Sequence, residues 1–438
     1  MTKQPTSDNM SFQAMWPKGR KPINKQILKK KRVLSLFSGC GGMDLGFEGG
    51  FSVARELINH KTFGYCDRSD NNMVYLPETS FQTVFANDIL GYAESAWKPF
   101  FQSRGVDSES VFHTESIVDL VKKYEKGEFD FPENIDIVTG GFPCQDFSVA
   151  GKRNGFESHK CHQDTVGKEI RKEESRGSLY LWMKKVASVT KPKVFIAENV
   201  KGLVSLGDVK KIIERDFRNI DQGYLVVPAQ VLFAPDYGIP QRRERVIFIG
   251  LSHRYLNLEI AKEVENGNID IYPPKTHSPS GGNGLEVYSK VRHVLRDLDE
   301  PDKSPDPAQQ KYSKAKYCPG TQGQMEVTYN GIAPTIRAEH HGNIEYRRLS
   351  VEHGGLNIAE LGEGLEERRL TVRECARIQT FPDTYEFVRN KRKGVEYPLS
   401  ASGAYKVIGN AVPPLLAYHI AHHIEGLWTT LFEEKVAQ

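Results

Sequence analysis

The chain has 438 residues, of which 39% are hydrophobic and 26% are charged, so it predicts a globular protein of about two domains. Its net charge is +3, and residues 1–32 hold nine Lys or Arg and one acid, which leaves 3 − 8 = −5 for residues 33–438. This distribution of charge excludes a protein that is basic over its whole surface. We find neither an apolar run approaching about 18 residues nor a signal-peptide pattern.

The first predicted elements, after a basic flexible tail at residues 1–31, are a strand, a glycine turn and a helix. Residues 33–37 are mostly apolar, residues 38–42 read SGCGG, and residues 43–48 begin a helix. Such a unit opens Rossmann-like sheets, in which a ligand approaches the backbone at the turn. The glycine spacing departs from the GxGxxG of dinucleotide-binding proteins, which disfavours a nicotinamide cofactor. Together with Phe37 the turn has the pattern FxGxGG, which suits the methionyl carboxylate and sugar of S-adenosylmethionine.

The second predicted strand ends in an acid that is suited to a ribose. Residues 81–88 read FQTVFAND, and a helix is predicted to follow. A carboxylate at the end of this strand binds ribose hydroxyls in Rossmann-like sheets, so Asp88 is the candidate. Glu56 is the alternative and lies closer to the first glycines in the sequence. If Asp88 is correct, residues 52–80 form a polar insertion, which we expect to be a surface loop.

The stretch 140–148 reads GGFPCQDFS and follows a short apolar strand at residues 135–138. Its two glycines permit a sharp turn, and Pro143 stiffens the loop that carries Cys144. The cysteine is therefore presented at the carboxyl end of a strand, where ligands bind in open α/β sheets. An arbitrary cysteine is more often a small buried hydrophobe, but this loop favours a nucleophile.

A further apolar strand at residues 192–196 leads to Glu198 at the same predicted edge. Glu198 is an acid/base candidate there, although an ordinary surface acid would give the same pattern. Residues 224–233 and 245–251 predict an antiparallel pair. The pair flanks the QRRER stretch at residues 241–245, whose arginines begin the second strand.

Histidines and cysteines are too scattered to predict a metal site. Residues 159–162 read HKCH within a charged segment at residues 151–176, but no second ligand pair follows at a usable spacing. His60 and Cys66 are isolated. The six cysteines lack paired spacing, which indicates reduced thiols and a cytoplasmic location. We therefore expect no metal.

Residues 252–366 differ in character, because they are rich in Pro, Gly, His and charge and contain only short strand-like runs. They predict a second, smaller, β-rich domain that is inserted into the first. Residues 311–316 and 335–343 carry side chains suited to phosphate and base-edge contacts.

Regular patterning returns in the C-terminal part, residues 367–438. Thr371 and Glu374 predict a capping box at the start of a helix. Asn410 lies between Gly409 and a predicted helix start, where it is well placed to touch a cofactor.

Six motifs occur in an order that resembles the DNA cytosine-5 methyltransferases: FSGCGG, GGFPCQDFS, ENV, QRRER, RECARIQTFP and GNAVPP. The resemblance covers residues 32–251 and 368–421. It implies an α/β fold with a Rossmann-like, S-adenosylmethionine-dependent methyltransferase sheet and helices on both faces. The catalytic domain would comprise residues 32–251 and 367–438, and residues 252–366 would be the target-recognition domain.

The resemblance also implies a role for each catalytic candidate. Cys144 would attack carbon 6 of the cytosine ring, which makes carbon 5 nucleophilic. Glu198 would hold and protonate ring nitrogen 3. Arg245, supported by Arg243, would bind oxygen 2 and stabilise the charge that develops there. Because carbon 6 is inaccessible in a stacked duplex, the cytosine would be flipped out of the DNA.

The binding sites that the resemblance implies are larger. The S-adenosylmethionine site would comprise Phe37, Ser38, Gly39, Gly41, Gly42, Asp88, Ile89, Ser116, Pro143, Leu179 and Asn410. The sequence departs from the family at Ser116, where an Asp that contacts adenine is frequent, and at Ile89, where a Trp is common. The candidate DNA contacts are Thr335, Arg337, His340 and His341.

The compact architecture resembles bacterial members that act on a specific site in double-stranded DNA, as monomers paired with a restriction endonuclease. A related transfer-RNA cytosine-5 methyltransferase is the nearest alternative, but the sizeable recognition region favours DNA. A catalytically inactive DNA-binding regulator is disfavoured because Cys144, Glu198 and Arg245 are all present. A nicotinamide oxidoreductase is disfavoured by the glycine spacing.

Overall fold

The computed structural model describes residues 30–61, 69–70, 72–143, 179–338 and 343–432. Some predicted features lie outside these residues, namely residues 1–29 of the tail, Cys66, Cys144, the 151–176 segment, His340 and His341.

The described residues alternate strands and helices through most of the catalytic domain. The strands are β1 Lys31–Leu36, β2 Gly49–Ala54, β3 Ser69–Asp70, β4 Met73–Glu78, β5 Phe81–Asn87, β6 Phe112–His113, β7 Ile137–Gly141, β8 Val194–Val200, β9 Tyr224–Phe233, β10 Glu244–Ser252, β11 His277–Ser278, β12 Glu286–Val287, β13 Tyr346–Arg348 and β14 Arg368–Arg369. The helices are α1 Gly42–Glu48, α2 Gly91–Ser103, α3 Ser108–Val111, α4 Ile117–Glu125, α5 Leu179–Thr190, α6 Val209–Arg218, α7 Leu258–Glu265, α8 Val291–Leu295, α9 Ile358–Gly362, α10 Val372–Ile378, α11 Ala401–Asn410 and α12 Pro414–Phe432. Within these ranges, no helix is both long and apolar enough to cross a membrane.

The centre of the molecule is a seven-stranded sheet with the order β6-β5-β1-β7-β8-β10-β9. β1 pairs in parallel with β5 and β7, and β7 pairs in parallel with β8. β10 runs antiparallel between β8 and β9. The predicted Rossmann-like sheet is therefore confirmed, and so is the antiparallel pair around QRRER.

Both faces of the sheet are covered, because successive side chains of its central strands point into opposite apolar layers. On β8, Val194 and Ile196 belong to one layer and Phe195 and Ala197 to the other, and all four are fully buried. α1, α2 and α12 contribute to the first layer, whereas α4, α5 and α6 contribute to the second. The helices on both faces that we predicted are confirmed.

In the part that the structure describes, residues 52–80 do not form the surface loop that we expected. It contributes most of a second antiparallel sheet with the order β2-β4-β3. Phe51, Val53 and Leu76 project from this sheet into the main core. Buried and partly exposed residues alternate along most of β2 and β4, so each strand buries one face although the average composition of the segment resembles that of a loop.

The inserted segment at residues 252–366 is not rich in β structure in the part that the structure describes. Its strands have two or three residues each, and short helices and irregular backbone connect them. The Pro, Gly and charged residues of the segment form turns and irregular backbone between these short strands. The beginning of the segment also packs on the central sheet, where Tyr272 Oη donates to the Ile247 carbonyl of β10 at 2.9 Å.

Candidate active site

The carboxyl ends of β1, β5, β7 and β8 meet at one edge of the central sheet. Leu36 at the end of β1 is paired with Asn87 on one side and Gly140 on the other, and Gly141 is paired with Glu198. Ligands of open α/β sheets bind outside this edge, where the strand order reverses. The loops that carry the predicted site residues begin here.

The glycine turn after β1 has backbone angles that explain its composition. Phe37, Gly39 and Gly41 have φ values of 54°, 55° and 72°. A positive φ is uncommon for a phenylalanine, and residues other than glycine that adopt it are often found at functional sites. A Cβ on Gly39 would meet no atom within 4 Å, so open space lies over this residue. A Cβ on Gly41 or Gly42 would collide with packed atoms at 2.6 and 2.3 Å. These two glycines therefore permit close packing, and their contact with a cofactor stays a prediction.

Asp88 reaches the glycine turn from the end of β5. Its Oδ2 accepts a hydrogen bond from the Gly39 N–H at 2.9 Å, and its Oδ1 accepts one from the Leu90 N–H at 2.9 Å. Burial raises the pKa of the Asp88 carboxyl, although these N–H groups oppose the rise. Glu56, the alternative acid, is instead paired with Arg296 at 2.5 Å. The structure therefore joins Asp88, and not Glu56, to the turn.

Two further predicted cofactor residues lie beside this corner. Ile89 is half-buried and follows Asp88 directly, and Ser116 precedes α4 in extended backbone. The Asn87 side-chain amide donates to the carbonyls of His113 and Glu115 at 3.0 and 2.8 Å. This pair of hydrogen bonds holds the loop of Ser116 against the end of β5.

The other predicted cofactor residues are distributed around the same edge. The Ser38 hydroxyl donates to the Ser35 carbonyl at 3.1 Å, within the glycine turn. Pro143 is half-buried just beyond β7, and Leu179 is buried at the start of α5. Asn410 is exposed at the last residue of α11.

The residues at the carboxyl ends of β1 and β5 fit S-adenosylmethionine. The open space over Gly39 admits a ligand to the backbone, the partly exposed Asp88 carboxylate suits ribose hydroxyls, and Ile89 offers an apolar surface. Among the residues that the structure describes, no group of three or more His, Cys, Asp or Glu side chains could hold a metal ion.

Glu198 and Arg245 form a largely buried ion pair at the same edge. The Arg245 Nε lies 2.8 Å from the Glu198 Oε1, and the two side chains are 11% and 9% exposed. A Cβ on Gly141 would lie 2.8 Å from the Glu198 Oε2, so the glycine leaves room for the carboxylate. Burial raises the pKa of Glu198, although the charges of Arg245 and Arg243 oppose the rise. A carboxyl in this setting suits proton donation.

Asn199 holds the backbone that leads toward Cys144. Its side-chain amide donates to the Phe142 carbonyl at 3.1 Å, and its oxygen accepts from the Val200 N–H at 2.8 Å. The end of β7 is thereby tied to the end of β8. Our sequence analysis assigned no role to Asn199, although it lies in the quoted ENV motif beside Glu198.

Arg243 is fully buried, and its hydrogen-bond partners differ from those of Arg245. Its guanidinium donates to the carbonyls of Ile336, Gly409 and Ala411 at 3.1, 3.0 and 2.6 Å. It therefore joins the QRRER stretch to two other chain segments, at Ile336 and at residues 409–411. A supporting role beside Arg245 stays a prediction.

The recognition segment, which we define as residues 333–338, docks on the QRRER stretch. The Gln241 side chain is buried, and it accepts from the Ile336 N–H at 2.9 Å and donates to Gln379 at 3.0 Å. The Ala333 N–H donates to the Pro240 carbonyl at 2.9 Å. Sequence reasoning missed both glutamines, although each lies within a quoted motif.

Two predicted DNA contacts, Thr335 and Arg337, lie on the recognition segment and are partly exposed. The Thr335 hydroxyl donates to the Arg242 carbonyl at 2.6 Å. The Arg337 guanidinium binds the side chains of Gln322 and Glu345. Their contact with DNA stays a prediction.

Comparisons with known proteins agree with this arrangement of motifs. A family model described as C-5 cytosine-specific DNA methylase matches residues 31–162 and 164–426. The type II methyltransferase M.BsuRI of Bacillus subtilis is 31% identical over 407 residues, which cover 90% of this chain and 79% of that protein. M.BspRI of Lysinibacillus sphaericus is 32% identical over 406 residues, which cover 90% and 81%.

Solved structures share the fold at low sequence identity. The methyltransferase EhMeth of Entamoeba histolytica matches with a TM-score of 0.53 and 15% identity, covering 92% of this chain and 99% of that one. The Dnmt2 methyltransferase of S. pombe matches with a TM-score of 0.50 and 16% identity, covering 91% and 99%. From the family model and the curated relatives, this chain belongs to the C-5 cytosine-specific DNA methylases and is a DNA cytosine-5 methyltransferase.

Proposed function

We propose that this enzyme transfers a methyl group from S-adenosylmethionine to carbon 5 of a cytosine flipped out of a specific site in double-stranded DNA. The reaction passes through a covalent adduct with Cys144. The observation that carries the proposal is the Glu198–Arg245 pair, which lies beside Gly141, three residues before Cys144 in the sequence.

The chain's own residues activate the base. Addition of the Cys144 thiolate to carbon 6 forms a carbon–sulfur bond and moves ring electrons toward carbon 5 and nitrogen 3. Glu198, whose pKa is raised by burial, donates a proton to nitrogen 3, and Arg245 binds oxygen 2. After carbon 5 is methylated, its proton passes to water as the carbon–sulfur bond to Cys144 breaks. Nitrogen 3 then returns its proton to Glu198, which restores the aromatic ring and leaves Cys144 as a thiolate.

S-adenosylmethionine supplies an electrophilic methyl group when it is bound. The glycine turn at Gly39 leaves space for it, Asp88 binds its ribose, and Ile89 packs on its adenine. The burial of Glu198, whose side chain is only 9% exposed, supports a flipped base, because a stacked cytosine could not reach a carboxyl at this depth.

We also propose that the enzyme is the protective member of a type II restriction–modification system. The relatives named type II methyltransferases support this role. The enzyme acts as a monomer in the cytoplasm, and a restriction endonuclease cleaves the same site when it is unmethylated. Bisulfite sequencing of DNA from cells that express the protein should show 5-methylcytosine at one short site, and methylation without sequence preference would reject this role.

The adduct is tested with duplex DNA that carries 5-fluorocytosine in the target. Fluorine on carbon 5 cannot leave as the proton does, so the enzyme should remain covalently bound and migrate as a slower band on a denaturing gel. Cys144→Ala should form no such band and should lose methyl transfer. An active wild-type enzyme that forms no adduct would exclude attack on carbon 6.

A further inference from the structure

The backbone of Arg337 is held in a fixed position beside the candidate active site. A Cβ on Gly409 would lie 2.1 Å from the Arg337 carbonyl carbon, so the two backbones are in direct contact. The preceding residue, Ile336, is bound by Gln241 through its N–H and by Arg243 through its carbonyl. The Arg337 side chain therefore extends from backbone that is tied to the active site.

The Arg337 side chain is also oriented at its far end. One terminal nitrogen donates to the Gln322 side-chain oxygen, and the other donates to the Glu345 Oε1 at 3.2 Å. Glu345 is buried, and its second oxygen accepts from the Met325 N–H at 3.0 Å. The Arg337 side chain remains 31% exposed. The guanidinium is thus accessible and has a defined direction.

Gln322 lies on a loop that has little freedom to move. A Cβ on the next residue, Gly323, would lie 1.7 Å from the Asn343 carbonyl oxygen, so the loop packs directly on that backbone. Arg369 donates to the Gly323 carbonyl and, at 3.2 Å, to the Gln324 side chain. Gln322 itself is exposed.

The chemistry of the pair is specific. The Gln322 oxygen is already bound to Arg337, so the amide offers N–H donors, and a guanidinium consists of donors alone. In the major groove, guanine presents two acceptors, whereas adenine presents one acceptor and one donor, cytosine presents a donor, and thymine presents one acceptor beside a methyl group. An edge that contains only donors matches guanine.

A phosphate contact fits the surroundings of Arg337 less well. Phosphate binding depends on net positive charge, and the Glu345 carboxylate offsets the charge of Arg337. An arginine that is paired with an acid still presents N–H groups in a fixed direction, and such groups suit hydrogen bonds to the edge of a base.

We propose that Arg337 and Gln322 together read a guanine in the DNA target, and that Glu345 orients Arg337 for this contact. The inference rests on the proposed function, and it names the residues that determine specificity at one position of the site. It assigns to Gln322, which no sequence motif marks, a direct contact with DNA.

The test uses the full-length enzyme, S-adenosylmethionine and duplex oligonucleotides with random bases around a cytosine, and bisulfite sequencing identifies the methylated members. The wild-type enzyme should require guanine at one position. Arg337→Gln should reduce the preference for guanine there by about tenfold to a hundredfold. Gln322→Glu should keep a partner for Arg337 but replace donors by acceptors, so the same position should shift toward bases with a donor.

Arg292→Gln is the matched control, because Arg292 is an exposed arginine of the inserted segment that donates to Asn330 at 3.2 Å. It should leave the base preference unchanged. If Arg337→Gln slows all sequences equally and lowers the salt dependence by about one phosphate contact, Arg337 binds the backbone and the proposal is wrong. An unchanged preference in both variants also rejects it. Absence of methylation by the wild-type enzyme would instead reject the proposed function.

Discussion

Glu198 shows how the environment of a single residue decides its chemistry. The carboxyl is buried at the end of β8, where desolvation favours its protonated form and Arg245 favours its ionised form. Burial outweighs the ion pair, so the pKa is raised. A base that enters the site and binds Arg245 would meet a carboxyl that is able to donate a proton.

We expect Glu198→Gln to lower the rate of methyl transfer by about a hundredfold or more, because an amide cannot protonate nitrogen 3. Glutamine retains an oxygen for Arg245, so the variant should fold. The measurement is the initial rate of tritiated methyl incorporation into DNA, together with Tm.

Glu244→Gln is the control for this substitution. Glu244 precedes Arg245 on β10, and it forms an ion pair with Lys201 at 2.7 Å in which both side chains are exposed. Such pairs contribute about 0–1 kcal/mol to the free energy of unfolding, so the variant should remain folded. We therefore expect the rate of methyl transfer to change by no more than about twofold. Equal rates for the two variants would show that Glu198 has no role as an acid.

At the scale of elements, α1 and α12 approach each other closely. A Cβ on Gly46, in the middle of α1, would lie 2.4 Å from the Ala417 Cβ and 2.5 Å from the Pro414 carbonyl oxygen. A mid-helix glycine is unfavourable by itself. Here it permits the contact that covers one face of the central sheet.

Gly46→Ala therefore sets two effects against each other. Helix propensity favours alanine by about 1 kcal/mol, whereas overpacking costs about 1–3 kcal/mol, and backbone atoms of α12 would have to shift. We expect a net loss of about 1–2 kcal/mol in the free energy of unfolding, measured in urea. Gly91→Ala is the control, since a Cβ there meets no atom within 4 Å, and its stability should be unchanged or higher. A gain in stability for Gly46→Ala would contradict the packing argument.

At the scale of the whole molecule, ion pairs join the inserted segment to the C-terminal part of the catalytic domain. Glu300 accepts from Arg348 at 2.9 and 3.0 Å and from Arg368 at 3.0 and 3.1 Å. Arg368 also donates to Glu374 of α10 at 2.9 Å. Both arginines are buried, so the network lies within the junction and not on its surface.

Glu300→Ala should therefore lower the free energy of unfolding by about 3 kcal/mol, because Arg348 loses half of its acidic partners and two arginines remain close together. Asp302→Ala is the control, since Asp302 is an exposed acid of the same loop, and its effect should stay within about 0.5 kcal/mol. Equal stability of the two variants would show that the network contributes nothing.

The same network predicts a pH dependence. Burial alone raises the pKa of Glu300, but hydrogen bonds from Arg348 and Arg368 outweigh it and lower the pKa to about 2, from 4.5 in the unfolded chain. A lowered pKa in the folded state gives stabilisation that is complete above pH 4.5 and lost as the pH falls toward 2. Over this interval the stability of the wild type should fall more steeply than that of Glu300→Ala.

The sequence by itself determined six of the seven strands of the central sheet, all except β6, because their signals are local. Mostly apolar stretches marked β5 and β8, and the capping box of Thr371 and Glu374 is present with both of its hydrogen bonds. The order of the motifs determined the family. The position of Asp88 at the sheet edge was predictable because Asp88 follows a strand directly, and the structure places its carboxylate on the Gly39 N–H, while its contact with a ribose stays a prediction.

Only the tertiary structure decided which residues meet across long distances in the chain. β2 and β4 were missed because strand pairing, and not composition, makes them a sheet. Arg243 and Arg245 are two residues apart, yet one binds three carbonyls in the core and the other binds Glu198. Gln322 contacts Arg337 only because the fold brings the two side chains together. Such contacts depend on the packing of whole elements, which no local pattern of residues encodes.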